Sequence, residues 1–262
     1  MEHDWEWHGG NSPLIAAAIH AGHDLSPPFA EAIALSEAER LREEDPYTDA
    51  FTWLAPARIV VNRSRFEVDL NRPRDEAVYL TGDEAWGGDL WRRPLTDDMV
   101  EASRRRHDEF YGMLERVLRS VEEQYGAFVV YDLHAYNHRR GGPDAPPDDP
   151  DANPEVNLGT GSMDRRRWGH LVDRFLEELS RQHVGGRLLD VRENVRFKGR
   201  QLAAFIHERF PTSGCALAIE VKKTFMDEHT GLLDMQRHAE IRRALAATTP
   251  GVLHELTHQR VH

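Results

Sequence analysis

Short apolar runs alternate along this chain with longer amphipathic stretches. Residues 14–19 (Leu-Ile-Ala-Ala-Ala-Ile) are apolar throughout and are broken at once by His20-Ala-Gly22-His23-Asp24 and by Pro27-Pro28. A run this short, bounded by turn residues, predicts a buried strand. The same pattern predicts strands over 58–62, 128–134, 188–191 and 216–221. Phe66, Val68 and Leu70 alternate with Glu67 and Asp69, which predicts a further, half-buried strand. Elsewhere the period changes to that of a helix. Phe110, Leu114, Val117, Leu118, Val121 and Tyr125 share one face of a helix predicted over 97–125, with Gly126 as its stop. Trp168, Leu171, Val172, Phe175, Leu176 and Leu179 predict a second helix after Ser162, closed by Gly185-Gly186. Ser36 and Glu39 are placed to form a capping box for a short helix over 36–44. Helices over 201–210 and 233–247 complete the set. Residues 1–13, 73–94 and 138–161 read as irregular. Strands alternating with helices predict an α/β fold, one domain over 1–262, with a mixed, largely parallel sheet sandwiched by helices.

Composition narrows the partners. The chain has 262 residues, 40% hydrophobic and 30% charged, with a formal charge of -12. No nucleic-acid partner is expected, because such proteins present a basic face. An anionic small-molecule substrate would need locally placed arginines. Cys215 is the only cysteine, which excludes an intrachain disulfide and a cysteine-based zinc cluster. No run of 18 apolar residues occurs and the first residues do not resemble a signal peptide, so no membrane partner and a cytoplasmic location are expected. Several of the 15 histidines, His207 among them, read as surface residues.

Three predicted strands end in chemistry. The first runs into His20-x-x-His23, the central one into Asp132-Leu-His134, and a later one carries Glu220 inside Ala-Ile-Glu-Val. In an open α/β sheet ligands bind at the carboxyl ends of the strands. Histidines and acids gathered there are the ingredients of a catalytic zinc site with three protein ligands. Asp132 shares a strand face with His134 and can orient its ring. A lone Asp-x-His is more often a core histidine held by its neighbour; the three strand ends together favour the metal. Glu220 is costly among apolar neighbours unless it has a partner. Arg65 and Arg72, with Asn71 between them, offer planar forks to a carboxylate, although a solvated strand edge would show the same charges.

Taken in order, Arg65-x-x-x-Asp69-Leu-Asn71-Arg72, Asp132-Leu-His134 and Ile219-Glu220-Val221 resemble the N-formylglutamate amidohydrolase family, a relative of the zinc carboxypeptidases and aspartoacylase. His20-Ala-Gly22, Asn157-Leu-Gly-Thr160 and Arg196-Phe-Lys198-Gly199 extend the resemblance over most of the chain. It implies that His20 and His134 bind Zn²⁺ and that Glu220 is the general base. It implies that Arg65 stabilises the oxyanion, that Asn71 and Arg72 hold the α-carboxylate, and that Lys198 takes a side-chain carboxylate. The related enzymes place an acid three residues after the first histidine, where this chain has His23. The third ligand is therefore expected to be His23 or else an acid of the stretch Glu43-Glu-Asp45-Pro-Tyr-Thr-Asp49, with Asp49 and then Glu44 as the leading alternatives. The implied reaction is zinc-dependent hydrolysis of an N-acyl amino acid, N-formyl-L-glutamate first. A carboxypeptidase, another N-acyl-amino-acid deacylase, or a metal-free binding protein on the same fold are the alternatives.

Overall fold

Two apolar faces of one sheet organise the molecule. The computed structural model describes residues 3–85 and 87–258; residues 1–2 of the expected lead-in and residue 86 of the expected loop lie outside them. The strands are β1 (Trp5–His8), β2 (Leu14–Ala18), β3 (Ala57–Val61), β4 (Phe128–Tyr136), β5 (Val156–Gly159), β6 (His183–Val184), β7 (Arg187–Leu188), β8 (Val191–Glu193) and β9 (Gly214–Lys222). The helices are α1 (Pro27–Ala32), α2 (Glu37–Glu43), α3 (Asp97–Tyr125), α4 (Arg165–Ser180), α5 (Gln201–Arg209), α6 (Met235–Ala247) and α7 (Thr249–His258). The main sheet runs β1-β3-β2-β4-β9-β5-β8. Its centre, β3-β2-β4-β9, is parallel; β1 and β5 join it antiparallel. The mixed, mostly parallel sheet flanked by helices is the expected fold class.

The strand period of two divides the core. Val129, Tyr131 and Leu133 of β4 pack with Trp168, Val172 and Phe175 of α4 and with Ile241 and Val252 of α6 and α7. Phe128 and Val130 point the other way, onto Phe110, Leu114 and Leu118 of α3 and Leu202 and Ile206 of α5. By the same alternation Asp132 and His134 fall on the α3 and α5 side, at the carboxyl end of β4. Asn71 Oδ1 accepts from Leu202 N and Asn71 O from Gln201 N, which docks the start of α5 beside this end. Gly126, at φ 76°, ends α3 as predicted; Thr96 caps its start. Among the described residues no helix is long and apolar enough to cross a membrane.

Several expected elements differ. Residues 66–70 form no strand, because both halves of the alternation are buried. Glu67 receives the Ser26 amide and faces Arg63, while Asp69 is held by His20, Arg65 and Tyr79. Ion pairing took the acids inward. Residues 156–159, expected as loop, are β5, paired antiparallel with β9. Trp5–His8, expected as irregular, is an edge strand on β3. Pro27-Pro28 opens α1 instead of only breaking the chain, since proline suits the first helical positions. The strand expected over 188–191 is divided between β7 and β8. Gly185 and Gly186, at φ 60° and 79°, form the turn of the β6–β7 hairpin and do not close α4. A seventh helix, α7, follows α6 without having been expected.

Candidate active site

β2, β4 and β9 lie side by side and parallel, so their carboxyl ends open on one edge of the sheet. His20 follows β2 by two residues, and His134 is paired in register with Glu220. The chain then supplies Asp45 from the turn after α2. The Asp45 amide donates to His20 O at 2.9 Å, which fixes this turn against the end of β2. Lys223, on the first residue past β9, donates its Nζ to the carbonyls of Arg42 (2.7 Å) and Glu44 (2.6 Å). The start of the turn bearing Asp45 is thus held from both β2 and β9.

His20, Asp45 and His134 are buried, and one ligand atom from each lies within 4.8 Å of the other two. Asp45 Oδ2 is 3.1 Å from His134 Nδ1 and 3.6 Å from His20 Nδ1. The opposite nitrogens face carboxylates. His20 Nε2 is 2.8 Å from Asp69 Oδ1, in hydrogen-bond geometry. His134 Nε2 is also 2.8 Å from Asp132 Oδ1, but without hydrogen-bond alignment, so neither Asp132 oxygen has a hydrogen-bond partner. Asn71 Nδ2 stands 3.3 Å from the same His134 nitrogen.

This donor set fits a divalent metal. Two imidazoles and one carboxylate are a known zinc set, with a carboxylate behind each ring to orient it. The electrostatics agree. Burial works to lower His134, yet Asp132 and Asp45 raise its pKa well above the ordinary value, so the spot attracts positive charge strongly. Burial works to raise Asp45, yet His134 and His20 hold its carboxyl far below the usual range. Asp69 behaves alike, against burial, through Arg65 and His20. Glu220 goes the other way: burial, helped by Asp45 and Asp132, pushes its carboxyl up to about 7 against His134 and His20. One acid of the cluster is therefore poised to exchange a proton near neutrality, while Asp45 and Asp69 stay ionised.

The cluster floors a cleft lined also by Arg65, Asn71, Arg72, Tyr79, Arg200 and Lys223. Arg65 Nη2 donates to Asp69 Oδ2 at 2.7 Å, and Tyr79 donates to the same oxygen. Arg72 lies over the Tyr79 ring, 4.5 Å from its centroid, and donates to Glu84 O.

The third position of the cluster belongs to Asp45, not to His23 or Asp49. His23 Nδ1 is taken up by Glu44, and its Nε2 by Arg40. Glu44 itself is held by His23 and Ser64. Asp49 is exposed at the start of the 3-10 helix Asp49–Leu54. Lys198 does not line this cleft; it is exposed in an adjoining groove with Pro73, Gly161 and Gln201. Asp69, Tyr79, Arg200 and Lys223 were given no role, and Asp45 fell within the expected acid stretch 43–49 but behind Asp49 and Glu44. Asp45 stood in a run of three acids (Glu43-Glu44-Asp45), with only Pro46 to mark it as the end of the turn. Asp69 carried the alternation of a solvent-facing residue. Nothing in the sequence distinguished Arg200 or Lys223 from surface cations.

The N-formylglutamate amidohydrolase family model matches residues 12–226, which includes every residue of this cleft. The chain belongs to the N-formylglutamate amidohydrolase family. Over 152 residues it is 28% identical to an N-formylglutamate deformylase of Pseudomonas putida. That stretch is 52% of this chain and 56% of the relative, so the chain matches little more than half of that curated protein's length. In fold it is similar to the crystal structure of an N-formylglutamate amidohydrolase from Ralstonia eutropha, with a TM-score of 0.75, 20% identity and 98% of each chain covered. A gene product of Agrobacterium tumefaciens of known structure is also similar, with a TM-score of 0.71 and 16% identity over 97% of this chain and 96% of that one. These two likenesses show the fold.

Proposed function

We propose that this protein hydrolyses the amide of an N-acyl amino acid, with N-formyl-L-glutamate as its substrate and zinc as its metal. One observation carries the reading: His20, Asp45 and His134 converge beside Glu220, the acid whose carboxyl is pushed to about 7, in a cleft that also holds Arg65 and Arg72. Family membership supports this choice of substrate. A zinc ion held by His20, Asp45 and His134 would supply Lewis acidity to the amide carbonyl and lower the pKa of water there toward about 7.

The chain's own groups do the rest. Glu220 takes the proton from the attacking water and returns it to the departing amine nitrogen. Its carboxyl is basic enough to accept that proton because burial favours the neutral form. Arg65, fixed by Asp69 and Tyr79, keeps its positive charge in the cleft wall, where it meets the developing oxyanion. Arg72 offers its guanidinium to the α-carboxylate. Asn71 has its side chain committed to Leu202 N and His134, so it holds the site's frame and sets the direction in which Arg72 points.

The experiment is hydrolysis of N-formyl-L-glutamate by the purified chain, followed by formate and glutamate release, with metal content measured on the same sample. Stoichiometric zinc and equimolar formate and glutamate are expected. Absence of turnover in a zinc-loaded, folded protein overturns the reading.

A further inference from the structure

An acidic N-acyl amino acid carries two carboxylates, and Arg72 answers only one. The cleft holds further cations: Arg65, Arg140, Lys223 and Arg200. Most are committed. Arg65 is bound to Asp69. Arg140 grips Glu43 through both terminal nitrogens, at 2.7 and 3.0 Å. Lys223 is buried on two backbone carbonyls. Arg200 alone of these has a side chain with no hydrogen-bond or ion-pair partner among the described residues.

Its backbone, by contrast, is fixed. Gly199, just before it, sits at φ 87°, and a β-carbon there would lie 3.3 Å from Ala218 Cβ on β9. Gly159 faces the same strand of chain so closely that a β-carbon would fall 2.4 Å from Gly199 N. After Arg200 the next two amides dock on Asn71, the residue before Arg72. Arg72 and Arg200 therefore spring from one rigid junction on the cleft wall. Arg200 also borders the adjoining groove, where Lys198 lies and where Glu76 is the one carboxylate among the lining residues.

We infer that Arg200 is the specificity-determining residue of the cleft: its free guanidinium takes the distal carboxylate of an acidic N-acyl amino acid while Arg72 takes the proximal one. The fixed backbone sets where the fork can reach, and a charge-assisted pair with a planar guanidinium is among the stronger hydrogen bonds, enough to outweigh the ordering of the side chain. The inference rests on the proposed function for the reaction, but not for the binding preference.

The test measures preference in two ways, on wild type, Arg200→Gln and Lys198→Gln. Kinetics compare kcat/KM for N-formyl-L-glutamate and N-formyl-L-glutamine, which differ only in the distal charge. Calorimetry compares binding of L-glutamate and L-glutamine. Wild type is expected to prefer the acid on both measures. Arg200→Gln is expected to cut that preference about tenfold to a hundredfold, and Arg200→Lys to restore part of it. Lys198→Gln should keep the wild-type ratio. An unchanged ratio in Arg200→Gln, a loss seen only in Lys198→Gln, or no preference in wild type overturns the inference. The two readings part cleanly. A chain that binds glutamate through Arg200 without hydrolysing either amide refutes the proposed reaction alone. A chain that hydrolyses both amides equally refutes the role of Arg200 alone.

Discussion

At the scale of single residues the site turns on which carboxylates stay charged. Asp45 and Asp69 are held ionised by the groups they touch, while Glu220 is left to burial and titrates near neutrality. Glu220→Gln keeps the shape of the side chain but cannot carry the proton. Turnover should fall about 10²–10⁴-fold, with thermal midpoint and zinc content near wild type. A lowered midpoint with kcat intact would make Glu220 a packing residue. The ligand assignment gives a second prediction. Asp45→Asn should lose bound zinc on dialysis, whereas His23→Ala and Asp49→Ala should retain it, because His23 is engaged by Glu44 and Arg40 and Asp49 is exposed at a helix start. Zinc lost from His23→Ala and kept by Asp45→Asn would reverse the assignment. That His20, His134, Glu220, Arg65 and Arg72 meet in one cleft was legible from sequence, because strand ends and arginine forks leave a local pattern. Asp45 was legible only as one acid of the stretch 43–49, since its place in the cluster comes from a turn held by contacts to His20 and Lys223, which are remote in sequence.

At the scale of elements, long periodic segments were readable and paired ones were not. The face of α3 and the apolar run of β4 announce themselves locally. β1, β5 and β8 are short, and they exist because a neighbour offers them a ladder; four residues of Val-Asn-Leu-Gly carry no such signal. The segment 63–72 misled for a related reason, as its acids are buried by partners from α1's N-terminus, β2 and the Tyr79 segment. His207 shows what such burial costs. It lies on the α5 face toward β9, where its Nε2 accepts from the Ala216 amide at 3.0 Å and its Nδ1 is 2.9 Å from Ser162 Oγ. It is no surface residue: burial pulls its pKa down to about 4. The ordinary value is about 6.5. Between these two values the unfolded chain binds a proton that the folded chain refuses. Its contribution is thus fully present above about pH 6.5 and is lost as pH falls toward 4, by on the order of 3 kcal/mol. Denaturant melts from pH 7 to 4 should show this slope in wild type and a shallower one in His207→Gln. Equal slopes would assign the acid sensitivity to other groups.

At the scale of the whole molecule, the site joins parts of the chain that the sheet alone would leave independent. His20 follows β2, Asp45 comes from beyond α2, and His134 lies near the end of β4, so one ion bound among them would tie three segments together. Binding to the folded state alone raises its stability by RT ln(1 + [L]/Kd), about 2.7 kcal/mol when free zinc is a hundred times Kd. The unfolded chain, with its histidines scattered, offers no comparable site. For a chain of this size each kcal/mol moves the thermal midpoint by about 2–4 °C, so zinc should raise it by roughly 5–10 °C over the chelator-treated protein. The chain has 15 histidines, and zinc on surface rings would also shift a melt. Asp45→Asn separates the two cases. It removes the one charged ligand and leaves every surface histidine in place, so its midpoint should no longer respond to zinc. It should melt somewhat below the chelated wild type, because the carboxylate that His134 and His20 hold ionised is lost, so the comparison is the zinc shift within each variant. A zinc shift of equal size in wild type and Asp45→Asn would place the ion elsewhere and remove the metal from this cleft.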